Sequence, residues 1–126
     1  MRLRCLIVDD SELFLEAASK SLSRDGIDVI GTASTGAEAL RQAELERPDV
    51  VLVDINLGSE SGFELARELV ERFRELRSGV VLISTRGERD YGRLIAASPA
   101  VGFVRKTQLT AKAVRELVSA QGLSDP

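Results

Sequence analysis

The chain has 126 residues, enough for one domain with its own core and without disulfides or a structural metal. Its 17 Lys and Arg against 20 Asp and Glu give a net charge of -3, which argues against a general nucleic-acid footprint, and the absence of histidine removes any His nucleophile or ligand. A single cysteine allows no internal disulfide, no apolar run approaches the ~18 residues of a membrane span, and the acidic pair Asp9-Asp10 arrives too early for a secretory leader, so the protein is expected in the cytoplasm.

Leu3 to Val8 reads as a strand running into Asp9-Asp10, with Cys5 packed in the core. Ser11 to about Arg24 has helical periodicity, with Leu13, Phe14, Ala17, Ala18 and Leu22 on the apolar face, and Asp25-Gly26 stops it. Ile27 to Gly31 is a second, weaker strand. Thr35 and Glu38 form a capping box for a helix through Leu45, and Arg47-Pro48-Asp49 turns the chain. Val50 to Val53 is wholly apolar, as a central parallel strand covered on both faces requires. Ser61 and Glu64 repeat the capping box before a third helix, about Gly62 to Leu76.

Val80 to Ile83 is another central strand, followed by a helix of about Arg89 to Ala97 that ends at Ser98-Pro99. Val101 to Arg105 is the fifth strand and about Thr110 to Ala120 the last helix. Five strand-helix units without a hairpin signal predict an α/β fold, an open parallel sheet with helices on both faces. Right-handed crossovers make it doubly wound and flavodoxin-like, with strand order 2-1-3-4-5. Residues 1–121 form the expected domain and 122–126 a C-terminal tail.

In such a sheet the carboxyl ends of the strands share one edge, and ligands bind there. Asp9-Asp10, Asp54, Ser84 and Lys106 each follow an apolar run with the polarity that places them on it. Two carboxylates about 5 Å apart at an effective dielectric of ~20 repel by roughly 3 kcal/mol, so three of them call for a cation. Oxygen donors without histidine favour a hard ion such as Mg2+. A carboxylate attacking phosphorus gives an acyl phosphate, and the Lys106 amine suits a phosphoryl oxygen.

These residues and their spacing resemble the receiver domain of two-component response regulators, the CheY-like superfamily. Asp9-Asp10 resembles the acidic metal-binding pair, and Asp54, 44 residues beyond Asp10 in Val53-Asp54-Ile55-Asn56-Leu57, resembles the phosphoacceptor. Ser84, 30 residues on, matches the switch hydroxyl; Lys106, 22 beyond that, the family lysine; and Phe103 the aromatic switch position. Gly62 falls at the glycine eight after the acceptor. The resemblance implies that Asp10 and Asp54 touch the metal directly, Asp9 through water and Asn56 through its main-chain carbonyl. Gly58 and Thr107 stand where prolines are usual, and Arg86 follows Ser84 by two, where charge or bulk tunes rates. Without proline a cis Lys106-Thr107 bond costs about 3–4 kcal/mol, so a trans bond is expected.

The resemblance also implies the partners: a sensor histidine kinase or histidine phosphotransferase upstream, and a downstream protein target or a homodimer. The expected output surface, read by protein contact and not by direct nucleic-acid binding or a membrane, includes Tyr91, Arg93 and Phe103. The chain is not expected to be an enzyme with an outside substrate. A stand-alone regulator is the first reading. Alternatives are a receiver cut from a longer DNA-binding transcriptional regulator, a pseudo-receiver that accepts no phosphate, and a haloacid-dehalogenase-like phosphatase. The phosphatase would want Asp-x-Asp where this chain has adjacent acids and Ser11. A nucleotide-binding loop fits worse, because no Gly-rich segment follows the first strand.

Overall fold

Two apolar sets alternate along the central strands, and each is claimed by a different layer of helices. The computed structural model describes residues 2–85 and 91–120. In chain order these form β1 (Arg4–Val8), α1 (Glu12–Arg24), β2 (Asp28–Ala33), α2 (Gly36–Glu46), β3 (Val50–Asp54), the short pair β4 (Asn56–Leu57) and β5 (Glu60–Ser61), and α3 (Gly62–Arg72). Then come β6 (Val80–Ser84), α4 (Gly92–Ala97), β7 (Gly102–Arg105) and α5 (Ala111–Ala120), with 3-10 turns at Arg74–Ser78 and Lys106–Gln108.

One parallel sheet has the order β2-β1-β3-β6-β7, which is the expected 2-1-3-4-5 once the short β4 and β5 are set aside. Leu6, Val8, Val51, Val53, Val80 and Leu82 pack against Ala39 and Ala43 of α2 and Leu65, Ala66 and Leu69 of α3. The alternate residues Cys5, Ile7, Val50, Leu52, Val81 and Ile83 pack against Leu15, Ala18 and Leu22 of α1 and Val114 and Val118 of α5. This strict period of two is what places consecutive side chains on opposite faces. Cys5 is fully buried, and burial pushes its thiol up to about 12.

Three element boundaries differ from expectation, and one pair of strands was not expected at all. Ile27 does not open β2. Its N–H bonds the Leu22 carbonyl while Gly26 N–H bonds Ser23, a Schellman motif that closes α1 and buries Ile27 beside Leu22. β2 instead runs on to Ala33, with an irregularity opposite Cys5/Leu6. The third helix stops at Arg72, because Phe73 turns extended (φ -125°, ψ 91°) and the following 3-10 turn brings both Phe73 and Leu76 into the core. A hairpin ladder, not expected, pairs Asn56 with Ser61 and Leu57 with Glu60. Its two-residue loop has left-handed backbone at Gly58 (φ 61°) but not at Ser59, the pattern of a type II′ turn, so glycine there has a structural reason. The start expected for the fourth helix at Arg89, the position of Arg86 and the tail 122–126 lie outside the described residues. Every peptide bond among the described residues is trans, Lys106–Thr107 included.

Candidate functional site

Three strands deliver charged groups to the same edge. β1 ends in Val8, and the next residue, Asp9, is fully buried while Asp10 is exposed. Asp9 Oδ1 accepts the Ser11 N–H at 2.9 Å, and Ser11 Oγ caps α1 by accepting the Phe14 N–H at 3.3 Å. Asp54 closes β3 and is 5% exposed. Its Oδ1 accepts the Asn56 N–H at 3.1 Å. The chain beyond Asp54 is pinned by Ile55 N–H to Ile83 O (2.9 Å) and Gly62 N–H to Ile55 O (2.8 Å). A Cβ at Gly62 would collide with the Asp54 carbonyl, so this close approach requires glycine.

Lys106, the first residue past β7, reaches into the pocket: Nζ lies 2.6 Å from Asp9 Oδ2 and 3.4 Å from Asp54 Oδ2. Nζ also sits 4.6 Å from the centre of the Phe14 ring. Oxygens of Asp9, Asp10 and Asp54 lie within 4.8 Å of one another. The Asp54 carboxyl is pushed up to about 6 by burial and by the Asp9 charge, against the downward pull of the Asn56 N–H and Lys106. Burial alone would lower the Lys106 ammonium, but Asp9 and Asp54 together hold it above its ordinary value. Asp9 Oδ2 is buried and makes no well-angled hydrogen bond; the ammonium is its compensation.

This donor set fits a divalent hard cation. It offers only oxygens, concentrates like charge, and contains a buried carboxylate oxygen whose hydrogen-bonding capacity is unfilled.

The remaining expected residues fall into two groups. Ser84 is buried at the end of β6, one residue past Ile83, which pairs with Asp54. Asn56 lies beside Asp54, but its side chain turns outward and donates to Tyr91 Oη at 3.0 Å. Tyr91 in turn meets the Phe63 ring, centroids 6.1 Å apart and planes tilted by 55°. Phe103 lies on β7 opposite Leu82, half-buried against the same apolar cluster as Tyr91 and Ile95, and Arg93 is exposed on α4. The pocket residues Asp9, Asp10, Asp54 and Lys106 are thus brought together, and Tyr91 is tethered to them through Asn56. Two contacts escaped the sequence reading: the Phe14 ring beside Lys106, and Glu60 Oε1, which accepts the Gly36 N–H at 3.0 Å and ties the hairpin to α2. By its place in the sequence, Phe14 is only one more apolar residue of a helix face. No local pattern reveals its partner, which comes from 92 residues away.

The family model described as the response regulator receiver domain matches residues 5–118. The chain belongs to the response regulator receiver family. A receiver is a phosphoacceptor signalling module of two-component systems, not an enzyme turning over an outside substrate. This receiver is 36% identical over 88 residues to the alkaline phosphatase synthesis transcriptional regulatory protein PhoP of Bacillus subtilis, covering 70% of this chain and 35% of that protein. It is 29% identical over 124 residues to the transcriptional regulatory protein DegU of Brevibacillus brevis, covering 96% and 51%. The chain therefore spans between a third and a half of the length of these relatives.

Among solved structures, the signal receiver domain of the response regulator NarL from Mycobacterium tuberculosis superposes with a TM-score of 0.78 at 29% identity, covering 96% of this chain and 97% of that one. A response regulator from Thermotoga maritima gives 0.79 at 26%, covering 94% and 99%. No helix among the described residues of the receiver is long and apolar enough to cross a membrane.

Proposed function

We propose that Asp54 is the phosphoacceptor of this receiver. The observation that carries the reading is the setting of its carboxylate, which lies beside two further carboxylates, has one oxygen fixed by the Asn56 N–H and has the other facing the Lys106 ammonium. An Asp54 oxygen attacks the phosphorus of a phosphohistidine or acyl phosphate. The new P–O bond forms as the donor's P–N or P–O bond breaks, and the donor leaves with that electron pair. With its proton held up to about pH 6, Asp54 is ionised at neutral pH yet more basic than an ordinary aspartate.

Asp9, Asp10 and Asp54, with the Asn56 main-chain carbonyl, would hold Mg2+, which when bound supplies positive charge to the phosphoryl oxygens. Lys106 places its ammonium on a phosphoryl oxygen, and the Ser84 hydroxyl donates to another. Movement of Ser84 then admits the Phe103 ring further inward and reshapes the surface bearing Tyr91 and Arg93. A sensor histidine kinase or histidine phosphotransferase is the upstream partner, and a protein target or a second copy reads the switched surface. The curated relatives named as transcriptional regulators are longer than this chain, which supports a second arrangement, a receiver that governs an attached DNA-binding output.

The test is mass spectrometry after incubation with Mg2+ and a small acyl phosphate. Wild type gains about 80 Da, one phosphoryl group, and Asp54→Ala gains none. Equal labelling of the two would remove Asp54 from the role.

A further inference from the structure

We infer that Phe14 is a positioning residue for Lys106: its ring face holds the ammonium over the acidic pocket when the carboxylates are otherwise engaged. The inference rests on the phosphoacceptor reading for its kinetic consequence, but not for the contact itself.

Four contacts close a circuit through two separate segments. Asp9 Oδ1 takes the Ser11 N–H at 2.9 Å, and Ser11 Oγ takes the Phe14 N–H at 3.3 Å. The Phe14 ring lies 4.6 Å from Lys106 Nζ, and Nζ returns to Asp9 Oδ2 at 2.6 Å. Phe14 is itself half-buried against the apolar cluster beneath α1, so the ring is anchored by the core and not by the lysine.

The loop that carries Lys106 offers little guidance of its own. It is a three-residue 3-10 turn without a side-chain cap, and Arg105, Thr107 and Gln108 are exposed. A lysine has a flexible four-carbon stem, so the position of its amine is set by what the amine touches. Among the described residues, three groups hold it: Asp9, Asp54 and Phe14. A cation shared by the carboxylates weakens the first two attractions, and a phosphoryl group on Asp54 replaces the carboxylate oxygen with phosphoryl oxygens that the amine must find anew. The quadrupole of a phenyl ring is indifferent to either event. Among the described residues that touch the amine, Phe14 is therefore the one whose hold is unchanged through the chemistry.

The experiment uses the full chain with Phe14 replaced by leucine, tyrosine or phenylalanine bearing one, two or five ring fluorines. Fluorination drains the ring face with little change in shape, so packing is kept while the attraction fades stepwise. Two readouts are taken: the rate constant for labelling by a small acyl phosphate with Mg2+, and the Lys106 side-chain resonances without any phosphodonor. Expected is a stepwise fall along the fluorine series, a loss of about fivefold in Phe14→Leu, and near-wild-type rates in Phe14→Tyr. The Lys106 ε-methylene resonances should lie upfield in wild type and return toward free-lysine positions in Phe14→Leu. A flat fluorine series with rates within about twofold of wild type, or unmoved Lys106 resonances, would overturn the inference. Failure of wild type to label at all would instead strike the phosphoacceptor reading, leaving the resonances to decide where the amine sits.

Discussion

Helices α3 and α4 cover the same face of the sheet but are built differently. α3 is 11 residues long, is capped by Ser61 Oγ accepting the Glu64 N–H, and buries Leu65, Ala66 and Leu69. α4 is six residues long, has no side-chain cap, buries no residue and leaves Leu94 54% exposed. The Gly62 end of α3 braces the Asp54 carbonyl, whereas α4 is linked to the pocket through the hydrogen bond from Asn56 to Tyr91, the residue that precedes its first turn. The contrast teaches where stiffness is placed. The reacting carboxylate is held by the well-buried part of the molecule, and the surface expected to report on it is held by contacts that are easy to exchange.

The largest test of that contrast is a pair of truncations. Leu69→Ala empties a fully buried site and should cost about 3 kcal/mol, whereas Ile95→Ala, half-exposed on α4, should cost about 1 or less. Urea unfolding of both variants checks it, and comparable losses would erase the distinction between the helices.

The pocket carries a stability cost that α4 does not. Asp54 holds its proton to about pH 6 in the folded state against 3.8 as its ordinary value, so the stability tied to that proton is complete below about pH 4 and is lost as pH rises through 6. Without divalent cations, Asp54→Asn should therefore be about 2–3 kcal/mol more stable than wild type at neutral pH, and the gap should close near pH 4. Adding Mg2+ should raise the stability of wild type more than that of the variant. Parallel stability curves from pH 3.5 to 7.5 (a range of about four units) would contradict the electrostatic account.

A smaller effect isolates the tether. Tyr91→Phe removes the phenolic partner of Asn56 while keeping the ring against Phe63, at a cost of about 1 kcal/mol or less. If the tether couples pocket to surface, hydrogen exchange in α4 should accelerate while exchange in α3 stays as in wild type. The smallest effect is expected at Leu94, where alanine should change stability by no more than about 0.5 kcal/mol; a larger loss would mean that α4 is better packed than its exposure indicates.

The same contrast governs what could be read from the sequence. Val50–Val53 and Val80–Ile83 are apolar throughout because both sheet faces are covered, so the central strands and the acids at their ends were legible from pattern alone. The two capping boxes placed the starts of α2 and α3 correctly. Tertiary demands decided the rest. Ile27 obeyed the closure of α1 in preference to its own strand propensity, and Phe73 broke its helix to reach the core. The hairpin hid because its strands are two residues each, too short for alternation to show. In the pocket, Asp9, Asp10, Asp54 and Lys106 were legible as neighbours, and the resemblance separated the metal roles of Asp9 and Asp10, but the ion pair of Asp9 with the amine was not legible. Asp9 is buried against the amine and Asp10 open to solvent, a difference set by the turn into α1 and invisible in the adjacent letters.

Cys5 gives the chain a use unconnected with its chemistry. It is the only thiol in the sequence, it sits on β1 between β2 and β3, and its proton is held to about pH 12. An alkylating reagent therefore meets almost no thiolate until the middle of the sheet comes apart. The rate of trapping becomes a clock for complete opening, with one tick per molecule and no engineered label. Slowing of that clock by Mg2+ or an acyl phosphate would report their binding free energy directly from the native chain.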